Sequence, residues 1–257
     1  MKELIDKSIK KYVKDYSKRK EIESEWNEPL LAYADANDPL FKKLKKVISP
    51  SHAVPSDFLE GAATVITFFL PFKNSINESN IKGRLSSKEW AIAYIETNQL
   101  ILEINKHVKE ILRKKGYKST IIQATHNFDE KNLISDWSHR HAAYIAGLGT
   151  FGINNMLITD KGCSGRVGSI VTDLKLKPNN RPNNEYCLYK YNGSCKVCID
   201  RCIVDALDVN PENFDRFTCY DICLENVEYH NELDTADVCG KCCVGLPCTT
   251  GNPIESN

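Results

Sequence analysis

Apolar positions recur at helical spacing over residues 3–17, where Leu4, Ile5, Ile9, Tyr12, Val13 and Tyr16 fall on one face. That pattern predicts a helix packed on a core. A second helix is predicted from Asp38-Pro39 to Val47, because proline suits the first helical turn. Pro50 and Pro55 mark a loop. Thr64-Val-Ile-Thr-Phe-Phe-Leu70 is a nearly unbroken β-branched and aromatic run, the pattern of a strand covered on both faces, and Pro71 closes it. Ser86-Ser-Lys-Glu89 reads as a capping box for a long helix over residues 90–115, stopped by Gly116. Residues 117–124 read as a strand, so strand, helix and strand suggest a βαβ unit. Residues 135–146 are predicted helical, ending at Gly147. The turn Gly147-Leu-Gly-Thr-Phe-Gly152 follows, then strands over 155–159 and 166–173.

The Pro/Asn-rich stretch 177–184 reads as a linker. It divides an α/β core, residues 1–176, from a cysteine-rich part, residues 185–257. The 34 basic and 34 acidic residues cancel, so no global field favours nucleic acid or an anionic membrane. Lys7 to Lys20 and the stretch from Phe41 to Val47 are locally basic, as solvated helix faces are. The N-terminus lacks the apolar stretch of a signal peptide, and the longest apolar run, residues 62–72, is too short to span a bilayer. A cytoplasmic protein is expected, and with it reduced thiols.

Ten of the eleven cysteines fall in the last third of the chain. Cys187 precedes the run Cys195-Lys-Val-Cys198-Ile-Asp-Arg-Cys202. Cys219 and Cys223 precede Cys239-Gly-Lys-Cys242-Cys243, and Cys248 follows. Four-cysteine zinc sites usually pair two C-x2-C knuckles. The C-x2-C-x3-C run points instead to iron–sulfur clusters, in which the last cysteine of a run can cross to the other cluster. The crossed arrangement assigns Cys187, Cys195, Cys198 and Cys248 to one 4Fe–4S cluster. Cys202, Cys219, Cys239 and Cys242 go to the other. Cys163, Cys223 and Cys243 are left over.

Gly147-x-Gly-x-x-Gly152 superficially matches a dinucleotide fingerprint. That fingerprint needs a strand before it and a helix after it; here a helix precedes and a strand follows, which rejects nucleotide binding. Just ahead lies Asp136-Trp-Ser-His139-Arg-His141. His139 and His141 are two residues apart and share no helix face, which argues against a paired metal site. Asp136, His139 and His141 remain the candidates for a proton donor.

The segment His141-Ala-Ala-Tyr-Ile-Ala-Gly-Leu-Gly-Thr-Phe-Gly-Ile-Asn-Asn-Met-Leu-Ile158, followed by Gly168-Ser-Ile-Val-Thr-Asp-Leu174, resembles the epoxyqueuosine reductase family. The resemblance runs from about residue 62 to Cys248. It implies an α+β chain, with a nitroreductase-like α/β core followed by a ferredoxin-like domain holding two 4Fe–4S clusters. It also implies a kinship with reductive dehalogenases, cobalamin as a further cofactor, and a place for Gly147, Gly149 and Gly152 at the cofactor. The family's C-terminal helical repeats, which help bind tRNA, have no counterpart in this sequence. Its catalytic Asp maps without a gap onto Leu133, and Asp136 could take that role only after a three-residue shift. Ile203 stands where proline usually follows the fourth cysteine, the gap from Cys187 to Cys195 is long, and Cys242-Cys-Val-Gly-Leu-Pro-Cys248 replaces the usual ending.

These readings lead to an iron–sulfur oxidoreductase that passes electrons to a corrinoid or a small-molecule substrate in the core. One rival is a non-catalytic electron carrier or reductive activator that docks on a redox partner protein. Another is a zinc-stapled interaction protein.

Overall fold

A computed structural model gives the structure of residues 1–123 and 128–254. Helix α1 (Lys2–Tyr16) turns Ile5, Ile9, Val13 and Tyr16 inward. Strand β1 (Leu30–Asp35), which the pattern does not announce, follows. Helix α2 (Pro39–Val47) starts where expected, the Asp38 side chain accepting from the Leu40 N–H at 2.9 Å. A single turn, α3 (Pro55–Phe58), occupies the predicted loop. Strand β2 (Thr64–Pro71) is buried along its whole length. After the short α4 (Asn74–Ser79) comes α5 (Lys88–Lys114), capped by Ser87 and not by Ser86. The predicted box is displaced by one residue because Ser86 is taken elsewhere. Its N–H and hydroxyl both bond the Asn226 Oδ1 at 2.6 Å.

Strand β3 (Ser119–Ile121) is shorter than expected, and the predicted end at residue 124 lies outside the described residues. Strands β4 (Phe128–Asp129) and β5 (Ile134–Ser135) form a minimal hairpin. The helix predicted over 135–146 begins only at His139. Helix α6 (His139–Ala146) is capped by Ser138 and ends on Gly147 in the left-handed conformation. The expected glycine turn is half strand: β6 (Gly149–Phe151) pairs with β7 (Leu157–Thr159). Strand β8 (Gly165–Thr172) follows.

The main sheet runs β1-β2-β8-β3, with every neighbouring pair antiparallel. Strands β2 and β3 are therefore parallel to each other across the α5 crossover, but β8 lies between them. The expected βαβ neighbours are thus corrected to a split unit. An eight-residue ladder from β8 fills the β2 edge, which three-residue β3 could not. Successive β2 side chains serve two cores. Ile66, Phe68 and Leu70 pack with Leu100, Ile101 and Ile104 of α5. Val65 and Phe69 pack with Ala142, Ala143, Ile145 and Ala146 of α6 and Phe41 of α2. This two-sided burial explains the unbroken apolar run.

The predicted linker has no regular structure but is not free. Asn179 exchanges hydrogen bonds with the Tyr33 backbone at 2.9 and 3.1 Å, covering the exposed edge of β1, and Arg181 pairs with Asp38 at 2.7 Å. The cysteine-rich part then forms α7 (Leu188–Asn192), α8 (Val197–Asp200) and α9 (Arg216–Tyr229). Its Cys187, Cys198, Val244 and Leu246 join the same core as α5. Among the described residues no helix is long and apolar enough to cross a membrane.

Candidate metal centre

Four cysteines, three close in sequence and one distant, line one cavity. Cys187 caps α7, Cys195 lies in the following loop, Cys198 sits in α8, and Cys248 returns from the end of the chain. Ile153, Ile158, Leu188, Leu246 and Pro247 make the walls largely apolar. Cys248 is held by its carbonyl, which accepts from the Cys163 N–H at 2.9 Å. The space among the four cysteines is small, about 20 Å³. Burial pushes the Cys198 thiol up to about 12.

A second group gathers beside the first. Cys242 lies within electrostatic reach of Cys219 and Cys202, and Cys239 within reach of Cys242 and Cys219. The Cys202 sulfur accepts from the Ala206 N–H at 3.2 Å. Cys242 also reaches Cys198, so the two groups adjoin. Burial pushes Cys239 up to about 11. The neighbouring Cys243 thiol, then burial, raise Cys242 well above the usual thiol range. Cys219 alone goes down, because the Cys223 thiol one helical turn on hydrogen-bonds to it, while Cys223 goes up. Cys219 thus ionises more readily than Cys239 or Cys242, from which metal must displace protons.

Eight thiols in two adjoining groups suit the donor chemistry of two iron–sulfur clusters. A single zinc ion draws four sulfurs to about 2.3 Å from one point. Among the described residues no three His, Cys, Asp or Glu side chains are gathered closely enough to hold a metal ion of either kind. Cys163 and Cys243 are buried, with the Cys163 thiol 3.8 Å from the Cys243 carbonyl.

The three proton-donor candidates do not meet. Asp136 is exposed and outside the helix, accepting from the Ser51 hydroxyl at 2.6 Å. His139 is buried, and both ring nitrogens are used. Its Nε2 donates to the Gln123 carbonyl at 2.9 Å, so Nδ1 accepts from the Ser169 hydroxyl at 2.8 Å. Desolvation pulls His139 down to about 4. His141 bonds Ser138 at 2.8 Å, its ring lies 4.7 Å from that of Phe151, and burial also pulls it down to about 4. His52, absent from the sequence reading, accepts the Ser138 N–H on Nε2 at 3.1 Å and donates from Nδ1 to the Ala53 carbonyl at 2.8 Å. It orients the start of α6.

The glycines are placed by the chain itself. A Cβ on Gly147 would lie 2.3 Å from the Asn180 carbonyl oxygen, and one on Gly149 would lie 1.9 Å from that of Ile158. Only Gly152 borders the first thiol cavity.

Besides His52, sequence reasoning missed two arginines. Strand β8 is paired with β2 throughout but with β3 only over Ile170–Thr172, so its first half has an open edge among the described residues. Arg140, in the first turn of α6, is exposed to solvent although deep in the protein, its guanidinium donating to the Asn155 carbonyl at 2.6 Å. It faces Cys243, Cys242 and Cys219. The Arg166 guanidinium lies 4.3 Å from the centre of the Tyr94 ring, and its buried Nε has no hydrogen-bond partner among the described residues. Their signal in the sequence is weak: each is a lone arginine next to an apolar run.

No protein-family model and no curated protein matches the chain. Solved structures match in fold. Epoxyqueuosine reductase from Bacillus subtilis superposes with a TM-score of 0.59 at 16% identity, over 96% of this chain and 67% of that one. The enzyme from Streptococcus thermophilus gives 0.54 at 16% identity, over 94% and 66%. An epoxyqueuosine reductase solved with an epoxyqueuosine-modified tRNA-Tyr stem loop gives 0.53 at 18% identity, over 84% and 56%. The chain thus spans about two thirds or less of the length of these structures. At such identity the likeness establishes a shared mixed α/β fold.

Proposed function

We propose that the chain is an oxidoreductase whose cysteines hold two 4Fe–4S clusters and pass electrons to a corrinoid or a substrate held in the α/β core. The observation that carries this reading is the meeting of Cys187, Cys195, Cys198 and Cys248 around one cavity. By fold and order, the core takes the nitroreductase-like role and residues 185–257 the ferredoxin-like one. Bound clusters supply one-electron transfer, and a bound corrinoid supplies a reducible cobalt centre.

The chain's own residues then have defined tasks. The thiolates would hold the iron. Arg140 sets a positive charge within reach of Cys219, Cys242 and Cys243. Arg166 offers an unused donor to whatever the core holds. Nucleic acid does not suit this surface: between Asp205 and Asp237 the sequence carries ten Asp and Glu against Arg216 alone.

The carrier reading gains from one observation: His139 is spent on structural bonds, and Asp136 lies on the surface. Anaerobic reconstitution with iron and sulfide, with and without cobalamin, decides between them. About eight irons per chain and a bound cobalamin support the enzyme. Eight irons without cobalamin binding support the carrier. Zinc without iron removes both.

A further inference from the structure

Lys241 lies between Cys239 and Cys242 and is only 2% exposed. Its Nζ donates to the Asn80 carbonyl at 3.0 Å, the Asn80 Oδ1 at 3.1 Å and the Lys82 carbonyl at 2.8 Å. The Asn80 amide is oriented independently. Its Nδ2 donates to the Cys239 carbonyl at 2.9 Å, and its Oδ1 accepts the Ser87 N–H at 3.0 Å. All three partners of Lys241 are therefore acceptors. A neutral amine has two N–H groups and a lone pair, whereas an ammonium has three N–H groups. Three acceptors require the ammonium.

This buried cation pairs with no carboxylate among the described residues. The neighbouring charge is a second cation: Arg201 donates to the Lys241 carbonyl at 3.3 Å and to the Ile81 carbonyl at 2.8 Å. A buried charge without a counter-charge is costly. The anionic chemistry at hand is that of the thiolates two residues before Lys241 and one after. Together Lys241, Arg201 and Asn80 tie the loop at 80–82 to the loop at 239–241, so the same charge fastens the second thiol group to the core. The lining of the first cavity contains no Lys or Arg.

We propose that Lys241 is the positioning counter-charge of the second cluster: it raises that cluster's reduction potential and locks the 239–243 loop onto the core when the cluster is in place. The inference rests on the iron–sulfur reading above. Adding an electron to a cluster adds negative charge, which a nearby buried ammonium favours.

The test is a potentiometric titration of the anaerobically reconstituted protein followed by EPR. Cys219→Ser identifies the wave of the second cluster. Lys241→Met should move that wave to lower potential and leave the other in place. Asn80→Asp, which sets a carboxylate beside the ammonium, should move it the same way. Waves that coincide with the wild type in both variants, or two waves that move equally, overturn the proposal. If Lys241→Met fails to fold or to keep its iron, Asn80→Asp carries the titration alone. Hydrogen exchange on the wild type needs no variant. Amides at 80–82 should exchange at least tenfold more slowly once clusters are loaded, and equal exchange overturns the locking role. A wild type that takes up no iron defeats the iron–sulfur reading instead, so the two failures are distinct.

Discussion

Cys187, Cys195, Cys198 and Cys248 line a cavity walled by Ile, Leu and Pro, whereas Cys202, Cys219, Cys239 and Cys242 gather beside Arg140 and Lys241. The first group is held by short helices and by the Cys163 N–H bond to the Cys248 carbonyl, and its Cys187 and Cys198 are buried. The second is held by long-range bonds: Asn226 to Ser86, Asn80 to Cys239, and Lys241 to the 80–82 loop. One group is an apolar nest, three of whose four cysteines lie within one short stretch of chain. The other is charged, and the core closes it. If both hold clusters, the difference lies in what each can be tuned by: burial for the first, fixed charge for the second.

Removing one ligand should separate the groups most sharply. Cys198→Ser in reconstituted protein should lower iron from about eight to about four per chain. Loss of all the iron would show that the groups do not load independently. A backbone contrast comes next. Gly240 has φ +72°, and a Cβ there would lie 2.2–2.4 Å from the Trp90 indole; Gly193 has φ +78° with nothing within 4 Å. Gly240→Ala should cost about 3 kcal/mol or more and Gly193→Ala only about 1 kcal/mol, read from urea unfolding of the same preparation. Equal costs would remove this contrast between the two groups.

Acid should loosen the second group through α6. His139 is pulled down to about 4 by burial, below its unfolded value near 6.5. The folded chain therefore resists protonation, and its stability is full above pH 6.5, falls as the pH drops toward 4, and levels off below. The total is about 3 kcal/mol. Unfolding midpoints between pH 7 and 4 should fall less steeply in His139→Gln. An unchanged slope would mean that His139 does not govern the window. Ser87→Ala removes the α5 cap beside Asn80 and should cost about 1 kcal/mol. The smallest effect is expected of Cys223→Ser, which should retain full iron. A loss of iron there would make Cys223 a ligand.

Much of the fold was legible where a local rule acts alone. Asp38-Pro39 starts α2 and Gly147 ends α6, because caps and left-handed glycines need only their own neighbours. The apolar run of β2 announced its double burial. Illegible were the features that a distant partner imposes. Ser86 lost its capping role to Asn226. Strand β8 entered between β2 and β3. The supposed linker became the cover of β1. In the site, the cysteine spacing pointed to the four thiols that line the first cavity, while Arg140, Arg166 and His52 carried no local signature.

The sequence alone determined the chemistry on offer: eleven thiols, their grouping, and the helices and strands whose periods are local. Only the tertiary structure decided which groups are charged, which are spent and which are free. In the sequence Lys241 is only a residue between two cysteines, and His139 reads as a candidate proton donor. Burial made the first an ammonium held by three carbonyl-type oxygens and the second a neutral pin between α6 and β8. Desolvation and hydrogen-bond partners are properties of the folded neighbourhood, and no spacing along the chain encodes them.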